Sequence, residues 1–392
     1  MRTTTLGELV DEAGGIVQTG PFGSQLHAHD YSNSGVAVVM PQNIRNGRLD
    51  HSSIAHVTTG RASGLSRHTL QAGDIVYSRR GDVEKCALVL EPDLPAMCGT
   101  GSLLVRVPKS HFADSTFLAY LLQTDEVRKW VRGHAVGATM LNLNTQILRE
   151  VPLVLPPLPE QQAIADVLGA LDDKIAANHA LANTADDLVR SLYAELNAST
   201  ITIADLARNT RDAWAPGNEA TTYVGLEHLP RRHMWLTDSG APESVTSNKS
   251  RFKAGDILFG KLRPYFHKVV SAPTSGVCST DILVIRAFDP GMQGLVLAAT
   301  SSDEAVNACT IASSGTKMPR TNWKTLGACP VRCGSTAQNL KVSHKIMTIR
   351  DAVEAQLRAS STLAALRDTL LPALMDGTLR VKDAERTVSE AL

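Results

Sequence analysis

PLVLPPLPEQQAIADVLGALDDKIAANHALANTADDLVRSLYAEL, Pro152 to Leu196, opens with a proline-rich stop and then settles into a regular apolar rhythm. Ile164, Leu168, Leu171, Ile175, Asn178, Ala182, Ala185, Val189, Leu192 and Leu196 follow one another in alternating steps of four and three. That is the heptad spacing of a helix whose apolar seam faces a partner helix. Pro156, Pro157 and Pro159 mark where the chain stops being a strand and turns into the helix.

The partner lies in the same chain. Adding 178 to each seam position gives Val342, Ile346, Ile349, Val353, Gln356, Ser360, Leu363, Arg367, Leu370 and Leu374, again mostly apolar. The polar exception Asn178 has Gln356 as its counterpart, and antiparallel pairing would bring two mid-helix amides together to fix the register. Arg367 interrupts the second seam and is expected to mark the end of the pairing. A helix of roughly 35 residues would be about 50 Å long, a ruler with an α/β domain expected at each end.

The same duplication extends outside the helices. Gly137 and Met140 match Gly315 and Met318, Leu148 matches Leu326, and Pro152 matches Pro330, all at the shift of 178; Ala72–Gly73–Asp74 matches Ala254–Gly255–Asp256 at 182. LGELV at Leu6–Val10 resembles IADLA at Ile203–Ala207. Two copies of so long a unit make a pseudo-two-fold molecule rather than a solenoid. Strand-like runs (Val36–Met40, Asp74–Ser78, Ser102–Val107, Asp256–Gly260, Asp281–Ala287) alternate with turns, and Phe117–Val131 has helical spacing. The expected fold is α/β (α+β): a first domain over 1–155, a central spacer helix over 156–198, a second domain over 199–335, and a distal spacer helix with a tail over 336–392. The two helices are expected to form an antiparallel coiled coil.

With 392 residues and 43% hydrophobic content, each half has enough apolar side chains for its own core. The 39 basic and 39 acidic residues cancel, so any case for nucleic acid must rest on where charge sits. From Glu160 to Leu196 there are seven acidic and two basic residues, which disfavours contact between the central helix and phosphates. Lys249, Arg251, Lys253, Lys261, Arg263 and Lys268 surround Asp256, and Arg61, Arg67, Arg79, Arg80 and Lys85 fill the matching region of the first half. None of the six cysteines forms a CxxC pair, and the first residues lack an apolar signal stretch, so a reducing cytoplasmic setting is expected. No apolar run reaches the length of about 20 residues that crosses a bilayer. Cys329/Cys333 lacks the second pair that structural zinc requires, and His27–His29 is a lone pair of histidines, so no metal site is expected.

Reading DNA takes cations for phosphates, arginine forks for guanine and amides for adenine. Arg79 and Arg80 follow a strand in the first half, and Thr139, Asn142 and Asn144 precede the first long helix. In the second half Lys261 and Arg263 follow the equivalent strand, and Lys317, Arg320 and Asn322 occupy the equivalent loop. Ser24 and Gln25, in GPFGSQL (Gly20–Leu26), complete the set of candidate DNA contacts.

The stretch Pro152–Leu188 resembles the central region of type I restriction-modification specificity subunits, where a PLPEQ segment opens the spacer helix. TLAALRDTLLPALMDGTLRV, Thr362–Val381, resembles their distal region. The second half has CPVRCGSTAQN, Cys329–Asn339, where the first has PLPEQ. The resemblance implies a non-catalytic subunit that reads a split, asymmetric sequence in double-stranded DNA and recruits methyltransferase subunits, with a restriction and translocation subunit added. S-adenosylmethionine, ATP and magnesium are then expected on those partners, with no cofactor held by this chain.

No NPPY-like or DPPY-like tetrapeptide, P-loop or G-x-S-x-G elbow occurs in the sequence. Three alternatives remain at this level. A nuclease with dispersed acidic residues would cleave DNA with magnesium, a coiled-coil scaffold would bind proteins alone, and a stand-alone DNA-binding protein would need no partners.

Overall fold

The computed structural model describes all residues except 109, 211, 217–218, 220–221, 242–244 and 314–317. The chain divides into two compact units, Met1–Asp172 with Ala364–Leu392, and Asp173–Leu363. The dividing lines fall inside the two long helices, Leu158–Ala194 and Thr336–Met375, so each unit contains a segment of both.

In the first unit an antiparallel sheet has the order Ile16–Thr19, Ser102–Arg106, Ile75–Ser78, Cys86–Leu88. A second sheet runs Ala96–Cys98, Val36–Val39, Ala55–Val57, Tyr31–Ser32, with its first pair parallel. Arg2–Thr5 pairs with Pro152–Leu155, so the first strand is tied to the one that leads into the central helix. Val76, Ala87 and Leu104 of one sheet pack with Ala37, Val39 and Cys98 of the other in one apolar cluster.

The second unit repeats the first sheet strand for strand: Ala207–Thr210, Ile282–Ala287, Ile257–Gly260, Val269–Ser271. Ala198–Thr202 pairs with Pro330–Arg332, as Arg2–Thr5 does with Pro152–Leu155. The remaining sheet is ordered differently, Ala213–Trp214, Lys249–Phe252, Gly276–Cys278, Tyr223–Val224. The repeated Asp of the AGD motif has a structural task in each unit. Asp74 accepts two bonds from Arg106 (2.7 and 2.6 Å) and Asp256 two from Arg286 (both 2.6 Å), bidentate pairs that lock the ends of neighbouring strands.

The expected helix over Phe117–Val131 is two helices, Ser115–Leu121 and Asp125–His134. Thr124 breaks it: its hydroxyl accepts from the Val127 amide, and Asp125 and Glu126 favour a new N-terminus there.

The helix seam follows the heptad prediction. Ile164, Leu168, Leu171, Asn178, Ile346 and Val353 are buried, while Ile175, Val342, Ile349 and Gln356 are partly buried. The expected amide pair is replaced by a different bond. Asn178 Nδ2 donates to Ser360 Oγ at 3.0 Å and to the Gln356 carbonyl at 3.2 Å, so Gln356 contributes backbone and Ser360, one turn later, contributes the side chain. Nor does the pairing end at Arg367: its guanidinium meets Asp172 of the central helix at 2.6 Å, Tyr120 donates to the same carboxylate at 2.6 Å, and the distal helix continues to Met375. A buried carboxylate opposite the break supplies what the apolar pattern lacked.

Gln161 of the PLPEQ segment is 1% exposed and fully engaged. It accepts from the Asp114 amide and donates to the Phe112 and Pro156 carbonyls, fastening the helix start to the first domain. Its counterpart Asn339 instead bonds Gly334 on both sides, a local turn that starts the distal helix without a PLPEQ sequence. Among the described residues no helix is long and apolar enough to cross a membrane.

Candidate nucleic-acid interface

The strand Ile75–Ser78 runs directly into Arg79 and Arg80, and three segments distant in sequence close around them. Arg79 N donates to the Gly101 carbonyl (2.8 Å), Leu143 N to the Arg79 carbonyl (2.9 Å), and Gly81 N to the Leu141 carbonyl (2.9 Å), so the loop ahead of the central helix is stitched to the end of this strand. Arg80 and Asn142 form the bridge between them. The Gly20–Leu26 loop joins from the other side, with the Arg79 guanidinium 5.5 Å from the ring centre of the exposed Phe22.

The second unit makes the same junction bond for bond. Lys261 N donates to Asp281 O (2.8 Å), Thr321 N to Lys261 O (3.0 Å), and Arg263 N to Pro319 O (2.8 Å), while Leu262 bridges Arg320. Lys261 thus takes the place of Arg79, and Arg263 the place of Gly81. The structure therefore brings Arg79, Arg80 and Asn142 together in one unit, and Lys261, Arg263 and Arg320 in the other. Among the described residues Arg79, Arg80, Lys261 and Arg263 make no ion pair.

Other candidates have local duties. Asn144 and Asn322 cap the helices Thr145–Arg149 and Trp323–Gly327, accepting from Ile147 N (2.8 Å) and Thr325 N (3.0 Å). Reading adenine with an amide uses its oxygen and nitrogen together, so neither can do so without giving up its cap. Asn142 differs: its Oδ1 is buried with no hydrogen-bond partner, as is the Nε of Arg79. Gln25 spends its oxygen on the Phe22 amide, whereas Ser24 and Thr139 are exposed. Arg320 is paired with Asp281 at 3.2 Å. Lys317 lies outside the described residues.

The basic clusters read from the sequence are partly neutralised. Arg61 pairs with Asp30 (3.0 Å) and Lys85 with Asp82 (2.6 Å). Lys268 donates to the Leu226 carbonyl, and burial, helped by nearby Arg231, holds its ammonium below the ordinary lysine range. The cations gathered around Asp256 do not pair with it, since Arg286 occupies both carboxylate oxygens.

Sequence reasoning passed over the aromatic companions of these cations. Phe22 sits beside Arg79, and the Phe266 ring centre lies 3.9 Å from the Arg231 guanidinium and 5.8 Å from that of Arg263, with Tyr265 half exposed next to it. Their signal was present in RPYFH, Arg263–His267, where aromatic residues directly follow the cation.

Two copies of one helix-and-sheet module, each presenting unpaired cations where a strand end meets the loop before a long helix, define an internally duplicated protein with two cationic loop faces. Residues 31–185 match the family model described as type I restriction modification DNA specificity domain. It is 33% identical over 118 residues to the type I restriction enzyme EcoDI specificity subunit of Escherichia coli, a match covering 28% of this chain and 26% of that protein. It is 22% identical over 265 residues to the putative type I restriction enzyme MjaX specificity subunit of Methanocaldococcus jannaschii, covering 64% and 60%. The chain thus spans three fifths or less of the length of these relatives. The crystal structure of a type I restriction-modification S subunit from M. genitalium shares the fold, with a TM-score of 0.56 at 15% identity over 95% of this chain and 96% of that one.

Proposed function

We propose that this chain is the DNA-reading, non-catalytic subunit of a type I restriction-modification complex. Each unit reads one part of a split, asymmetric site in double-stranded DNA. The observation that carries this reading is the duplicated junction: identical backbone bonding in the two units, with unpaired cations of different identity at matched places. Shared backbone with different side chains is what reading two different half-sites requires, because phosphate contacts position a protein while side chains at base edges specify the sequence.

Methylation of adenine N6 and cleavage would belong to partners, a methyltransferase subunit and a restriction subunit, with S-adenosylmethionine, ATP and magnesium bound there. The site of action would be the cytoplasm, where the chromosome is. Mapping adenine N6 methylation across a genome after co-expressing this chain with a type I methyltransferase subunit tests the reading. A split asymmetric motif seen only with both is expected. A folded complex that methylates without any motif would move the assignment to a scaffold.

A further inference from the structure

Four non-glycine residues have a left-handed backbone among the described residues: Asn46, Arg232, Arg263 and His267. Three of them are joined in one small patch of the second unit. Arg263 (φ 51°) and His267 (φ 52°) flank the turn Pro264–Phe266, which closes through Phe266 N to Arg263 O (2.9 Å) and His267 N to Pro264 O (2.8 Å). Arg232 (φ 61°) donates its amide to the His267 carbonyl at 2.8 Å. Left-handed backbone is costly for residues with a Cβ, and it persists where surrounding structure enforces it, most often at functional sites.

What the strained turn does is present Phe266 to two guanidinium groups. Arg231 lies 3.9 Å and Arg263 5.8 Å from the ring centre, and neither makes an ion pair among the described residues. A ring over the face of a guanidinium limits its motion while its N–H donors, which lie in the plane, stay available. The first unit has the same backbone at the equivalent point, since Gly81 (φ 74°) makes the same amide bond to the loop, but it has no side chain there. Glycine would remove the strain at 263 as well, so the arginine stands there at a backbone cost.

We propose that Arg263 reads a guanine in the half-site of the second unit by donating to its O6 and N7, with Phe266 and Arg231 as positioning residues. This rests on the function proposed above. The guanine has no counterpart read from the Gly81 position, which makes the turn one source of asymmetry between the half-sites.

Methylation motifs mapped in cells co-expressing the methyltransferase subunit with wild-type chain, R263G or R263K test this. R263G relaxes the backbone and matches the first unit, so loss of folding does not confound it. The expected result is a wild-type motif with an obligate guanine at one position, where R263G and R263K each lower the preference for guanine by about ten- to a hundredfold and leave every other position unchanged. R263K keeps the charge and loses the fork, so retention of the guanine by R263K would overturn bidentate reading. An unaltered motif in R263G, or methylation lowered equally at all sites, would overturn the proposal while leaving the proposed function intact. The absence of any motif with wild-type chain would overturn both.

Discussion

Asn178 Nδ2 donates to the Ser360 hydroxyl at 3.0 Å, in the middle of an otherwise apolar helix seam. Ser360 donates in turn to the Gln356 carbonyl at 3.1 Å, so its hydroxyl stays satisfied even without the asparagine. That asymmetry gives two unequal substitutions. S360V leaves a buried amide N–H with one fewer acceptor and should cost about 1–3 kcal/mol, whereas N178L removes the amide and should cost less than S360V or stabilise. Urea unfolding of the whole chain checks the order; N178L proving the more damaging would mean that the amide does more than satisfy itself.

Arg367 is the complementary case. Its charge and that of Asp172 are both largely removed from water, at 16% and 8% side-chain exposure. R367M strands a carboxylate that keeps only the Tyr120 hydroxyl, and the loss expected is about 3–5 kcal/mol. Adding D172N to R367M removes the stranded charge and retains an acceptor for Tyr120, so the double variant should recover much of the loss. Thermal unfolding of the single and double variants measures the recovery, and additive losses would contradict it.

The long helices were legible because a seven-residue apolar rhythm present in two matched copies is the mark of two helices packed along a common seam, and every seam position chosen from it is buried or partly buried. Polar seam partners were not legible. Whether Asn178 meets Gln356 or Ser360 depends on a one-turn offset between helices, which periodicity leaves undetermined, and Asp172 sits one step off the apolar frame. The candidate interface was legible as matched segments, because a strand-end cation and the loop before the helix recur at fixed shifts. What each side chain does there was not. Asn144 and Asn322 look like base-reading amides in a sequence, yet an asparagine just before a short helix is first of all a cap. The left-handed backbone of Arg263 leaves no compositional mark at all.

Burial is the leading cause that holds His68 and His267 below the ordinary imidazole value. A histidine whose folded pKa is depressed gives stability that is complete above its unfolded value, about 6.5, and is lost as pH falls, because the unfolded chain takes up the proton first. Glu354, held above the ordinary carboxylate range by burial, works in the opposite direction on acidification. The melting temperature should therefore fall between about pH 6.5 and 5, and H267Q should flatten the decline. His267 contributes through its bond to the Ser301 carbonyl at 2.8 Å, so the variant will also melt lower at neutral pH. The slope is the diagnostic quantity, and an unchanged slope in H267Q would assign the decline to other groups.

Arg79 and Lys261 occupy the same backbone position in the two units and should fail in different ways. Lysine is a point charge suited to phosphate, so K261A should weaken DNA binding nearly evenly across sequences and reduce the salt dependence by about one counterion. Arg79 carries a planar fork beside Phe22 and has an unpartnered, buried Nε. R79A should instead relax the choice of base at one position of the first unit's half-site, by about 1–3 kcal/mol, and leave the other half-site unchanged. Binding of the methyltransferase complex to duplexes carrying single changes in either half, measured at several salt concentrations, separates the two outcomes. A uniform loss in R79A would place it on phosphate with Lys261, and a loss at both half-sites in either variant would show that the units do not read independently.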